Sequence, residues 1–420
     1  MEIFRIQGAT SYKGKVRVQG SKNAVLPMIA ASVVIGGITV IEDCPHISDV
    51  LDSVEILRYI GCEVTFEKGV LTIDSRGEIL NTIPKELMDR TRGSVLFCGA
   101  LLARCKSFKL WQPGGCNIGL RPVDIHLESF RRLGAAVETD DRSISCRLGK
   151  YRPCDITLRF PSVGATENIM IMAAGLGGTV RIINAAREPE IADLQNMLTK
   201  SGAVITGAGT GCITIMGNGT PGNVNYRLMP DRVVAATYLG ALGCSRGSIT
   251  LENVNPSHLT SFINVLKKCG MNIECSHEKI HAENTKRLKG GVSVSTRPYP
   301  GFATDMQSIL MGVLTTCDGV SLIKENIFEN RFCLASSLTR MGADIRIYRR
   351  TASVRGVRNL RCVNASACDL RSGAALACVL MGCEGEATLD NIHYIDRGYE
   401  NFCENFSSLG ARIERVEIFD

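Results

Sequence analysis

No uninterrupted apolar run in this chain reaches membrane-spanning length, so no membrane helix is expected. None of its 18 cysteines forms a CxxC pair, and no Cys/His group has zinc-site spacing. No basic run is interleaved with aromatics, which argues against a nucleic-acid partner. Segment 1–20 lacks an apolar stretch and carries Arg5, Lys13, Lys15 and Arg17 among polar residues, so it does not read as a secretory signal. The cysteines are scattered, many inside apolar runs such as Phe97-Cys98-Gly99 and Ala377-Cys378-Val379. They read as reduced, small core residues of a cytoplasmic protein rather than as a disulfide framework.

What is present points to a large globular chain. A length of 420 residues exceeds one ordinary core, so two domains are expected. The 48 Lys+Arg outnumber the 42 Asp+Glu and leave a net charge of +6. That mild excess suits an anionic small molecule as well as a polyanion.

Self-similarity decides the fold class. Glycines at 61, 134, 202, 270, 342 and 410 each stand between an amphipathic helical pattern and an alternating strand pattern, with spacings of 73, 68, 68, 72 and 68. Leu127, Phe130 and Leu133 show the helical face in one copy. The glycine then ends the helix in a left-handed conformation. Upstream of each amphipathic helix lies a strand, among them Ile38-Thr39-Val40-Ile41 and Val320-Ser321-Leu322-Ile323. Upstream again is a helix apolar on all sides, starting near Asn23, Arg92, Thr166, Asp231, Asp305 and Leu370. Such helices are buried all round. The expected fold is α/β: a two-domain inside-out α/β barrel of six βαβαββ-type repeats, three per domain, with buried parallel helices. The domains are expected at residues 22–229 and at 1–21 plus 230–420, with the strand Glu2 to Ile6 pairing with the last repeat and the active site between the domains.

The starts of the buried helices share polar residues: Lys22 and Asn23, Arg92, Ser162 and Thr166, Asp231 and Arg232, Asp305, and Asp369 with Arg371. Helix N-termini attract anions, so a shared cleft lined by them would hold a ligand rich in phosphate and carboxylate. Asp231, Asp305 and Asp369 are equally good simple N-caps by residue type. The loop Pro113-Gly114-Gly115-Cys116-Asn117-Ile118-Gly119-Leu120-Arg121-Pro122 adds a thiol near a permanent cation. Three glycines and two prolines there exclude a helix or central strand, and exposure beside positive charge is what a reactive cysteine needs. His277-Glu278-Lys279-Ile280-His281 spells a zinc-protease motif, but that motif needs a helix. The repeat register puts these residues at a hairpin turn, so no metal is expected there.

Lys22-Asn23, the Cys116 loop, Ser162-Val163-Gly164-Ala165-Thr166, Glu188-Pro189-Glu190-Ile191, Thr304-Asp305-Met306-Gln307, Phe328-Glu329-Asn330-Arg331, Asp369-Leu370-Arg371 and Asp396-Arg397-Gly398-Tyr399-Glu400 together resemble the UDP-N-acetylglucosamine 1-carboxyvinyltransferase family along the whole chain. The resemblance implies transfer of the enolpyruvyl group of phosphoenolpyruvate to the 3′-hydroxyl of UDP-N-acetylglucosamine, releasing phosphate, in the first committed step of peptidoglycan precursor synthesis. It implies addition then elimination, with Cys116 as acid and Asp305 by the sugar hydroxyl as base or orienting group. It implies phosphoenolpyruvate binding by Lys22, Asn23, Arg121, Arg371 and Arg397. It implies nucleotide-sugar contacts from Arg92, Arg121, Pro122, Val123, Asp124, Ile125, Phe160, Pro161, Ser162, Val163, Asp305 and Ile327. His126 would neighbour the pyrophosphate, while Arg331 and Asp369 would support closure. Fosfomycin, an epoxide analogue of phosphoenolpyruvate, would alkylate Cys116. No cofactor, metal, nucleic acid or membrane is implied, and a monomer is the default state. Phe160 departs from the family, which often has a basic residue there.

Three rivals differ in testable ways. A transferase acting on shikimate 3-phosphate would share the fold and a lysine at position 22, but normally has Ser-Lys-Ser where this chain has Ser21-Lys22-Asn23, and lacks the loop cysteine. A silent UDP-sugar sensor should have lost Cys116, Lys22, Asp305 or Arg397, and all four are present. An RNA-end-processing protein would show a nucleic-acid patch and a catalytic histidine in a repeat loop, and neither is visible.

Overall fold

The computed structural model describes residues 2–111, 123–140, 142–219 and 222–418. They form two compact units, one from residues 2–19 and 230–418, the other from residues 20–111 and 123–229. Each unit has its own apolar core. No helix among the described residues is long and apolar enough to cross a membrane.

The repeat register is visible in both units. The apolar helices are Lys22–Ile35, Phe97–Cys105, Val163–Ala174, Arg232–Cys244, Gln307–Leu314 and Leu370–Gly382. They carry almost no exposed residue, which is why their sequences show no polar face. The second and fifth start later than the others. A 3-10 turn, Arg92–Leu96 or Thr304–Met306, leads into each. All six repeat glycines take positive φ, between 95° and 117°.

The barrel expected from the repeats does not form. Among the described residues the strands make six separate open sheets, five of four strands and one of three, and none closes on itself. The reason lies in the ladders. In each of the first five repeats the upstream strand pairs with the second strand of its hairpin, which pairs with the first, and hydrogen bonding stops there. Between repeats the chain passes through a buried helix, so no ladder continues from one sheet to the next.

Most sheets gain a short parallel strand that the hydropathy pattern did not reveal. Asp155–Thr157 pairs with Gly178–Ile183, and Ser293–Ser295 pairs with Val320–Lys324. Val224–Arg227, after the third repeat, lies parallel to Ile38–Glu42 of the first and ties the ends of that unit together. The other unit is tied by the N-terminal residues. Glu2–Gln7 sits antiparallel between Glu386–Asp390 and Arg412–Glu417, in the place that the second hairpin strand takes in the other repeats. Ser11–Arg17 then runs parallel to Arg246–Glu252 of the fourth repeat.

His277 and His281 belong to a hairpin, not a helix. Asn272–Cys275 pairs antiparallel with Lys279–Asn284. His277 is exposed, while His281 contacts Thr250 Oγ1 at 3.0 Å. The two imidazoles cannot share a zinc ion as a helical motif would place them.

Candidate active site

The six helix starts are not alike. Thr91, Ser162, Asp231 and Asp369 cap theirs, each side chain accepting from backbone N–H groups two or three residues on. Ser21 makes no cap bond, and its buried hydroxyl has no partner. Asp305 lies inside the 3-10 turn Thr304–Met306 rather than at a cap position, and its two oxygens accept from guanidinium groups.

In the unit holding residues 230–418, Asp305 Oδ1 accepts from Arg331 Nη2 at 2.9 Å. Asp305 Oδ2 accepts from Arg371 Nη2 at 3.1 Å and from Arg371 Nε at 3.3 Å. Arg331 also places Nη1 3.6 Å from Asp369 Oδ1. Both arginine side chains are only 3% exposed, while Asp305 is 26% exposed, so the carboxylate forms the open end of a buried charge network. Charges this deep persist only when paired and hydrogen-bonded. Burial by itself would raise the Asp369 carboxyl; Arg331 and the Ser372 donors more than offset it, and the group lies below its ordinary value. Burial opposes the Arg371 charge, and Asp305 with the Tyr399 hydroxyl outweighs it, so Arg371 stays protonated. The Arg371 guanidinium lies 5.8 Å from the Tyr399 ring centroid. Thr237 Oγ1 donates to Val233 O, so the Tyr399 hydroxyl, 2.7 Å away, donates to Thr237.

Ile327 lies on a loop fixed by a residue that the sequence did not mark. Glu325 is 1% exposed and accepts from Thr296 Oγ1, Thr304 Oγ1 and the backbone N–H groups of Ile327 and Phe328. One carboxylate thus fixes the Ile327 turn and the residue preceding Asp305. Arg397 ends the short helix His393–Asp396 and is half-buried.

In the unit holding residues 20–229, Lys22 Nζ lies 2.9 Å from Asp49 Oδ2, with the two side chains 12% and 2% exposed. Asn23 and Arg92 are half-buried at their helix starts. His126 is buried beside Asn168. Asn168 Oδ1 accepts from the Gly99 N–H at 2.7 Å, while its Nδ2 reaches Val95 O, Gly164 O and, at 3.0 Å, His126 Nδ1. This network sets the amide orientation, makes His126 Nδ1 an acceptor and assigns the ring proton to Nε2. Burial first, then the Arg92 guanidinium, lowers the imidazole to about 4, so it is neutral near pH 7. Asp124 pairs with Arg159 at the surface, and its Oδ1 accepts from the Ile125 N–H. Phe160 is 42% exposed, immediately before Pro161 and the Ser162 cap. Cys116, Arg121 and Pro122 lie outside the described residues.

A family model described as EPSP synthase (3-phosphoshikimate 1-carboxyvinyltransferase) matches residues 6–406. The chain is 42% identical over 416 residues to UDP-N-acetylglucosamine 1-carboxyvinyltransferase 2 of Caldanaerobacter subterraneus subsp. tengcongensis, covering 99% of this chain and all of that one. It is 41% identical over 414 residues to UDP-N-acetylglucosamine 1-carboxyvinyltransferase of Thermotoga maritima, covering 98% of each. The chain belongs to the UDP-N-acetylglucosamine 1-carboxyvinyltransferase family. The enolpyruvyl transferase NikO from Streptomyces tendae superposes with a TM-score of 0.89 over 99% of both chains at 24% identity, a likeness of fold.

For a member of this family, three supporting residues here were not legible from motifs. Asp49 pairs with Lys22 from the first turn of a different helix. Glu325 follows a strand in a turn of ordinary composition. Asn168 did leave a signal: Thr166-Glu167-Asn168 is a polar run inside a helix otherwise apolar all round.

Proposed function

We propose that this chain transfers the enolpyruvyl group of phosphoenolpyruvate to the 3′-hydroxyl of UDP-N-acetylglucosamine, releasing phosphate, in the first committed step of peptidoglycan precursor synthesis. The observation that carries the reading is 42% identity along 99% of the chain to a relative bearing that activity's name. In the addition, the sugar oxygen bonds to C2 of phosphoenolpyruvate and loses its proton, while a proton arrives at C3. In the elimination, C3 gives up a proton and the C2–O bond to phosphate breaks. Cys116 is the proton donor in this reading. Lys22, Asn23, Arg121, Arg371 and Arg397 hold the phosphoenolpyruvate anion. Arg92, Arg121 to Ile125, Phe160 to Val163, Asp305 and Ile327 receive the nucleotide sugar.

The surroundings of Asp305 favour one of its two candidate roles. A carboxylate accepting from two guanidinium groups is a weak base. Asp305 therefore orients the sugar hydroxyl more than it removes the proton. The neutral His126 suits a site for an anion only as a hydrogen-bond donor through Nε2, not as a charge. The same reading places the chain in the cytoplasm, where thiols stay reduced; among the described residues no cysteine is in a disulfide.

The test is phosphate release from phosphoenolpyruvate by the purified chain. Release is expected with UDP-N-acetylglucosamine and not with shikimate 3-phosphate. Release with shikimate 3-phosphate instead would assign the sister reaction. No release with either acceptor at saturation would leave a silent binder. Fosfomycin should add one adduct to the intact chain and none to a Cys116→Ser variant.

A further inference from the structure

We propose that Cys333, Cys368 and Asp369 form a binding site for a soft divalent cation of the zinc type. The two sulfurs and a carboxylate oxygen all lie within 4.8 Å of one another, the only such group among the described residues. Cys333 and Cys368 are half-buried, while Asp369 is buried.

The two oxygens of Asp369 have separate tasks. Oδ1 caps the helix Leu370–Gly382 by accepting from the Arg371 and Ser372 N–H groups. Oδ2 faces the thiols and accepts from Cys333 Sγ at 3.1 Å and from Ser372 Oγ at 2.7 Å. An ion bound through Oδ2 leaves the helix cap intact. Two sulfurs and one oxygen supply three of four tetrahedral ligands, and water supplies the fourth. On binding, each thiol releases its proton to solvent as its sulfur–metal bond forms, and nothing is oxidised.

Charge favours a cation here over a disulfide. The hydrogen bond from Cys333 lowers the Cys368 thiol, and the Asp369 carboxylate works against that shift. The same carboxylate helps neutralise a divalent ion. Two other thiol pairs touch in this unit, Cys269 with Cys317 and Cys362 with Cys383. Neither has a carboxylate at ligand distance. An ion on Asp369 would also weaken the attraction of that carboxylate for Arg331, which holds Asp305. The proposal itself does not depend on the transferase reading.

The experiment is an anaerobic titration of the reduced full chain with cobalt(II), followed by displacement with zinc. A thiolate-to-cobalt charge-transfer band saturating at one ion per chain is expected, and its loss in Cys368→Ser. In the unaltered chain, zinc should shield Cys333 and Cys368 from iodoacetamide, read by peptide mapping. No band, a band that survives Cys368→Ser, or labelling unchanged by zinc overturns the proposal. So does recovery of a Cys333–Cys368 disulfide without metal uptake. The shielding measurement decides even if the variant fails to fold.

Discussion

The two units use one repeat scaffold to hold opposite kinds of polar chemistry. Around the helix starts of residues 20–229, the ion pair of Lys22 with Asp49 accompanies a neutral imidazole, His126, held by the Asn168 amide. In the unit of residues 230–418, Asp305 and Asp369 share the guanidinium groups of Arg331 and Arg371. The scaffold explains neither choice, because both are built on buried apolar helices of similar length. What differs is how many charges are taken out of water together. A single buried charge is costly, so the second unit buries a network, and the first neutralises its histidine.

The largest expected effect tests that network. Arg331→Met leaves two carboxylates short of a partner and should cost about 3–5 kcal/mol in denaturant unfolding. Lys22→Met takes the ammonium from one carboxylate, Asp49, and that ammonium is the more exposed cation, so the loss should fall at the lower end, about 3 kcal/mol. Equal losses would show that Arg331 serves only one carboxylate.

Acidification separates the units by window. His126 is lowered from 6.5 to about 4, so between those values the unfolded chain binds the proton more readily. Stability from the neutral imidazole is full above pH 6.5 and is lost as pH falls towards 4, about 3 kcal/mol in all. Asp369, also lowered, contributes above the ordinary carboxylate value of 3.8 and loses that contribution only below it. Melting curves of His126→Gln should lose the fall in stability between pH 6.5 and 4, leaving the opposite slope of Asp193, whose carboxyl burial pushes up to about 6, and should be unchanged in the lower window. A fall in stability retained in the variant would assign the upper window to another group.

The smallest effect compares two repeat glycines. Gly134 has φ +101°, and a Cβ there would sit 2.2 Å from Lys150 O. Gly270 has φ +95° with no atom within 4 Å of such a Cβ. Gly270→Ala should cost about 1 kcal/mol for the backbone conformation alone, and Gly134→Ala should cost more because a carbonyl must also move. Thermal unfolding reads the difference.

Much of this was legible in residue order. The glycine spacing located six helix ends, and each upstream strand was read close to its position. The N-terminal strand was correctly assigned to the last repeat. The closed barrel was not, because hydropathy reports which face of a strand is buried but not where a ladder ends. The parallel strands Asp155–Thr157 and Ser293–Ser295 escaped notice because three residues carry no period. In the candidate site, motifs marked Asp305, Arg331, Asp369 and Arg371, yet residue type could not say which aspartate caps a helix. Geometry separates them: Asp369 caps a helix, and Asp305 lies within a 3-10 turn and binds two guanidinium groups.

By itself the sequence determined the repeat, the elements that compose it and the family, because helix and strand periods and ordered motifs are local properties of the chain. Only the tertiary structure decided that the sheets stay open. It also decided that Glu325 and Asn168 fasten loops and helices they do not adjoin, and that two thiols far apart in sequence meet one carboxylate. Those outcomes depend on pairing between distant segments, and the desolvation that selects each partner exists only once the chain has packed.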